Sequence, residues 1–417
     1  MLLGLVVATL AWGCSVTART PAAIAAIGFG VLWLLRFEWH PSRPVRLWAG
    51  APVAALAYAR RLDYSLLGLL PVAYAVSLLW AGELAFTLKH LRITLTALGV
   101  SGVLYIYRDA LAPYRRWGWY MLLGFAGITA LGCVVYVLAN QGAITPTLGM
   151  GSAVPTPRAH VRTATLFAFA ALAGAHLLVS GRRRTSTRLL VALATATCIL
   201  AIHAIAVRTG IALLYLGLAL YALRFAIGRL RSPWAVALLC VGIAGLGSAA
   251  TQLPNVKRKL EYMRYDLEHR DDPDALRFSD ASRIISLEAA LAIIAEAPLR
   301  GAHTEGLREE MRTAYAKTGY PEATLLPTNQ YLFSWGLAGV PGLLGVLAFF
   351  VGPMLEPGWL RRPLLFEYLA LTGALCLVET PFANDVGVAL SVLVVCFAKA
   401  GPVPPTGPRA TNPARDA

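Results

Sequence analysis

Charge is scarce in this 417-residue chain. Asp, Glu, Lys and Arg make up 14% of it and hydrophobic residues 57%, with a mean hydropathy of +0.61. Soluble domains carry roughly 25% charged residues, so a soluble globule is excluded and a polytopic membrane protein is expected. Cysteine is also sparse. Cys14, Cys133, Cys198, Cys240, Cys376 and Cys396 all lie in apolar runs, at spacings that offer neither a disulfide framework nor a zinc site, and they read as small buried hydrophobes. There is no Walker loop, dinucleotide fingerprint, nucleophile elbow or internal repeat, so no nucleotide or other cofactor is expected. The first apolar run, 1–18, has no basic stretch before it and leads at once into another apolar run. It reads as a retained helix rather than a cleaved signal.

What is abundant is apolar runs of spanning length. They fall near 1–18, 21–36, 64–87, 92–107, 118–139, 164–180, 187–206, 209–226, 234–250, 332–352, 363–381 and 386–400. The run 47–59, between Arg46 and Arg60-Arg61, is short for a span and fits a re-entrant or interfacial segment. The net charge of +15 would suggest nucleic acid in a soluble protein, but here the basic residues cluster between apolar runs. Cytoplasmic loops carry the excess of Lys and Arg. Twelve spans put the clusters around Arg36–Arg61, Arg108–Arg116, Arg182–Arg184, Arg224–Arg231 and Arg361-Arg362 on that side, together with both termini. Trp117, Trp119 and Tyr120 then read as interfacial anchors.

The outward side receives 140–163, the hairpin at Val207–Gly210 and a polar segment, 251–331, that holds more than half of all Asp and Glu. The expected fold is therefore all-α and polytopic: 1–250 with nine spans, a helical loop domain at 251–331, 332–400 with three spans, and a Pro-rich disordered tail at 401–417. Within the loop domain, Ser279 to Ser282 offer N-caps for a helix from about Arg283 to Ala297 that Pro298 stops. Ile284, Leu287, Leu291 and Ile294 would form its apolar face. A second helix is expected over Glu305–Lys317, and a turn then leads to Pro327-Thr328-Asn329-Gln330-Tyr331-Leu332.

Read in order, Ser282-Arg283, an apolar helix, Ala297-Pro298-Leu299-Arg300-Gly301, a variable stretch, Asn329-Gln330-Tyr331-Leu332 and Gly336-Leu337-Ala338-Gly339 form a pattern that resembles the O-antigen ligase and polymerase superfamily. The resemblance is close over about a hundred residues and loose over a GT-C-like layout of about twelve helices. Arg208 matches too, since the family places an Arg in the outward hairpin between the seventh and eighth spans. The resemblance implies transfer of a glycan from undecaprenyl diphosphate at the periplasmic face of the bacterial inner membrane, without metal or nucleotide. The acceptor it implies is lipid A-core, or a second lipid-linked unit in a polymerase. One position departs from the pattern: where the family commonly has His before the Asn, this chain has Thr328, a hydrogen-bonding group but not a base near neutral pH.

Such a transfer needs cations on the departing diphosphate and a group to take the acceptor's proton. Arg208 and Arg283 suit the first task because guanidinium stays charged and grips phosphate oxygens bidentately. Interfacial snorkelling and a solvated helix start are the plain alternatives for the two. Arg158, His160 and Arg162, basic against the positive-inside trend, form a second phosphate or lipid contact or else an interfacial anchor. Thr328, Asn329 and Tyr331 are substrate-binding candidates through the motif. His303 and Glu379 are the main candidates for the base, with Glu305 and Asp385 behind them. Asp271-Asp272-Pro273-Asp274 reads as a solvated acidic turn rather than a metal site, and His203 as a hydrogen-bonded core residue. A transporter of amphiphiles is the reading from another class, and it would call for mid-membrane polar groups and broken helices in paired halves.

Overall fold

Backbone polar groups in an apolar setting must be satisfied within their own segment, which favours helices wherever the apolar runs are long. The computed structural model describes residues 51–399 apart from 107, 109–111, 141–155, 157–159, 181–183, 226–233, 235–236, 238–240, 243–244, 246, 250, 253, 273–274 and 303–305. The expected spans 1–18 and 21–36, most of 140–163 and of 234–250, and the tail 401–417 lie outside the described residues. All regular structure among the described residues is helical.

In chain order the helices are α1 (Ala51–Arg60), α2 (Leu62–Ser77), α3 (Leu84–Ile106), α4 (Arg115–Ala139), α5 (His160–Val179), α6 (Thr185–Ile205) and α7 (Arg208–Phe225). They continue with α8 (Pro254–Glu268), α9 (Ser279–Glu296), α10 (Leu307–Lys317), α11 (Gln330–Ala338), α12 (Val340–Met354), α13 (Pro363–Cys376) and α14 (Asp385–Lys399). By length and composition α4, α5 and α6 can each cross a membrane, while α2, α12, α13 and the Gly387–Lys399 part of α14 are apolar but shorter.

Helix α5 is the axis of one half. Ala164, Phe167, Ala168, Ala170 and Leu172 are fully buried as it packs against α4, α6, α7 and α13. Small residues let these helices approach closely. Gly210 of α7 faces Ala164 and Gly217 faces Leu172, while Gly174 of α5 faces Thr195 of α6. In the other half α2 packs on α3 and α12, and α3 on α14.

Several expected boundaries shift. The chain breaks at 78–83 rather than between 87 and 92, so α3 runs straight through Lys89 and Arg92, which stay exposed, and His90, which is buried with Nδ1 2.9 Å from the Phe86 carbonyl. The expected span 332–352 is two helices that meet at Gly339, whose φ of 68° is left-handed and which backs onto Leu299 where no Cβ would fit. Trp119 is buried in the bundle rather than interfacial, whereas Trp117 is exposed.

Among its described residues the polar segment carries three α-helices before α11, and one of them, α8, has no counterpart among the expected helices. Its central helix, α9, starts at Ser279, a turn before the expected start, and ends at Glu296 before Pro298. The buried face of α9 is Ala281, Ile285, Ser286, Ala289, Ala290, Ile293 and Ile294; of the expected face Ile294 is buried, Ile284 and Leu287 are half-buried and Leu291 is exposed. Alanines in that face let α9 lie close to α10 and α11.

This small domain is tied to the bundle by side chains. Trp80 Nε1 donates to the Arg300 carbonyl at 2.9 Å, and Trp335 Nε1 to that of Pro298 at 2.8 Å. Arg308 Nε donates to Glu83 at 3.0 Å while its guanidinium lies 4.9 Å from the Phe86 ring centroid.

Candidate functional site

The site is assembled at the start of α9. Helix α6 ends at Ile205, Ala206 turns the chain in a left-handed conformation (φ 53°), and α7 begins with Arg208. That turn delivers Arg208 to Asp280 in the first turn of α9, where the two form an ion pair. Residues i and i+3 share a helix face, so Arg283 stands one turn beyond Asp280. Its Nη2 donates to Glu379 Oε1 at 3.0 Å. Arg208 and Arg283 thus converge on a single helix end from positions far apart in sequence, each 27–28% exposed at the side chain.

Glu379 lies past the end of α13 at Cys376, outside the helix rather than inside a span as 363–381 implied. Burial raises its pKa, and the charges of Arg283 and Arg162 act against that rise. Arg162, in the first turn of α5, completes a row in which cations and carboxylates alternate: Arg208, Asp280, Arg283, Glu379, Arg162.

Arg162 and Glu379 stand at one end of a hollow of about 100 Å³, walled further along by Leu166, Phe169, Leu375 and Leu390. At 1.5 Å per helical residue, Arg162 to Phe169 is roughly 10 Å. There the Phe169 and Tyr368 rings meet at 4.6 Å. A charged mouth on an apolar slot suits an amphiphile with an anionic head.

Behind the row sits a group that sequence reading missed. Asp266 of α8 is fully buried, and its Oδ2 accepts the Asp280 backbone N–H at 3.1 Å. Its Oδ1 has no hydrogen-bond partner. Burial raises its pKa, opposed by that hydrogen bond and by the Arg208 charge. Only an amphipathic reading of 254–268 would have pointed to it.

The motif segments meet as well. Ala302 N–H donates to the Gly336 carbonyl at 2.7 Å and Val340 N–H to that of Leu299 at 3.3 Å, so the Pro298–Gly301 turn packs against the α11–α12 junction. Asn329 caps α11, its Oδ1 accepting from Tyr331 and Leu332 N–H at 2.9 and 3.1 Å while Nδ2 donates to the Leu377 carbonyl at 3.1 Å. Tyr331 Oη donates to the Gly373 carbonyl at 3.2 Å. Both therefore spend their polar atoms on the fold, next to the loop that carries Glu379. Thr328 is half-buried at the head of α11, and His160 opens α5 two residues before Arg162. Arg158, His303 and Glu305 lie outside the described residues.

His203 has Nδ1 2.8 Å from the Ile199 carbonyl and Nε2 3.2 Å from Tyr215 Oη, as a hydrogen-bonded bundle residue does. Among the described residues no three His, Cys, Asp or Glu side chains converge as metal ligands would. Glu367 is an ionisable group within the apolar helix α13. It is buried, and neither carboxylate oxygen has a hydrogen-bond partner. It lies only in the second turn of α13, with the charge of Arg224 acting on it, so it is near a helix end rather than at mid-span.

No protein-family model matches the chain, and no curated protein matches it.

Proposed function

We propose that this chain is an O-antigen ligase-like glycosyltransferase. It moves a glycan from undecaprenyl diphosphate to lipid A-core at the periplasmic face of a bacterial inner membrane, with about twelve spans and both termini cytoplasmic. The observation that carries this reading is the meeting of Arg208 and Arg283 at the start of α9, beside Arg162 and the mouth of an apolar slot. Arg208, Arg283 and Arg162 supply the cations that a diphosphate would meet, and the slot suits the first part of an isoprenoid tail.

In the reaction the acceptor hydroxyl oxygen bonds to the anomeric carbon as that carbon's bond to the diphosphate oxygen breaks. The electron pair leaves with the carrier diphosphate, held by the arginines. The hydroxyl proton passes to Glu379, which takes the part that Thr328 cannot. Fixed cations at the edge of an apolar region stabilise the leaving charge more than water does.

The test is a purified full-length protein given lipid-linked glycan and lipid A-core. Arg208→Ala and Arg283→Ala should each lower the transfer rate by about 10²–10³-fold while the protein still purifies folded. Wild-type rates in either variant would remove that residue from the site. A polymerase shares this donor site, and transfer to a second lipid-linked unit instead of lipid A-core would identify it. Undiminished transfer in the presence of EDTA is the expected outcome, and loss restored by a divalent ion would contradict the metal-free mechanism.

A further inference from the structure

A second concave surface lies on the other flank of α9. An open groove of about 820 Å³ is lined by α9 and α10 together with the segments 270–271 and 318–320, within the size range of ligand sites. It follows α9 from Ile284 to Ala297, a path of about 20 Å at 1.5 Å per residue. Ile284 is the residue next to Arg283, so the groove starts beside the charged row.

Its floor is apolar and shallow-sided because Ala289, Ala292 and Ala314 stand where larger side chains would fill it. Its walls are acidic: Asp271, Glu288, Glu296 and Glu310 face two cations, Arg270 and Lys317, and Arg270 is 3.9 Å from Glu288. A net acidic lining in a chain of net charge +15 repels phosphate and anionic lipid heads. Sugar rings present apolar C–H faces and hydroxyl edges, and carboxylates accept hydrogen bonds from hydroxyls.

The geometry points to this groove as the seat of a glycan chain, neutral or bearing amino groups, several sugars long, that runs away from the diphosphate site. The inference rests on the transferase reading for the chain's origin, but it is tested by binding alone. The probe is glycan released by mild acid from the polyprenyl lipids of cells that carry this protein, titrated into the full-length protein in detergent.

Ala292→Trp, at an exposed floor position, should weaken binding at least tenfold. Ala316→Trp, exposed on α10 but off the lining, should leave it unchanged and show that the domain tolerates the side chain. No binding to the wild type, or equal binding to wild type and A292W, overturns the groove assignment without touching the arginine site. Weakened binding without any transfer activity would keep the groove and discard the transferase. Where transfer is measured, A292W should raise KM at least tenfold for the substrate whose glycan lies there. A rise for the lipid-linked donor and a rise for the acceptor distinguish the two sources, and KM unchanged for both overturns the assignment.

Discussion

The carboxylates near the arginines differ in what holds them and in how deeply they are buried, and the consequences differ accordingly. Glu379 is held between burial, which raises its pKa, and Arg283 with Arg162, which lower it. In the proposed transfer it accepts the proton and must be ionised, so kcat should rise with pH through a midpoint above the ordinary glutamate value of roughly 4.3. Glu379→Gln should cost on the order of 10²–10⁴-fold and flatten the profile. An unchanged profile in the variant would assign the proton elsewhere.

Asp266 makes the opposite kind of prediction, about stability. Its folded-state pKa is raised, so its contribution is fully present below the unfolded pKa and is lost as pH rises through the folded one. Asp266→Asn removes that loss and keeps an oxygen for the Asp280 N–H. The variant's melting temperature should therefore gain on the wild type as pH rises from about 4 to about 8. A constant difference across that range would mean that Asp266 is not titrating in the fold.

At the scale of elements, the turn from Pro298 to Gly301 locks the loop domain to the α11–α12 junction. Gly301 has a φ of 72°, and a Cβ there would lie 2.6 Å from the Gly336 carbonyl oxygen and 2.7 Å from Gly339 N. Gly301→Ala should cost about 1–2 kcal/mol for the left-handed backbone and on the order of 1–3 kcal/mol more for crowding. Limited proteolysis should then cut earlier between α9 and α11, and an unaltered pattern would show that the turn is free to move.

This lock was half legible in the sequence, since both glycine-bearing segments stood out, but only the fold shows that they touch. Helix ends governed by local signals, such as Pro298 after α9, were readable. The break at 78–83 was not, because Lys89 and Arg92 imitate a boundary yet sit harmlessly on the exposed side of α3. The two arginines were legible as chemistry. Their partners were not: Asp280 is 72 residues from Arg208 and Glu379 is 96 from Arg283, separations that no local pattern encodes.

Across the whole molecule, α13 spans the distance between two charged sites, with Arg362 just before its start and Glu379 just past its end. At the Arg362 end the charges are sealed in. Lys399, 1% exposed, lies 2.8 Å from Asp63 and 4.0 Å from Glu356, and donates to the Asp63 carbonyl at 2.6 Å. Arg362 donates to Glu356 at 2.7 Å and to the Ala398 carbonyl at 3.2 Å. This cluster joins the start of α2, the α12–α13 connection and the end of α14. Removing one member of a buried pair strands the other, at a cost of about 3–5 kcal/mol, whereas replacing both by apolar groups is often neutral. Arg61 also grips Asp63, its Nε and Nη2 donating to the two carboxylate oxygens at 2.9 and 3.0 Å. Lys399→Met should therefore destabilise the protein by less than that full cost, and adding Asp63→Leu should recover part of the loss because Arg61, unlike Lys399, reaches solvent. Because the clasp is a helix length away from Glu379, the double variant should keep the wild-type KM in the proposed transfer. A raised KM that persists after stability is recovered would mean that the two ends of the bundle are mechanically coupled, and that the clasp helps set the geometry of the arginines.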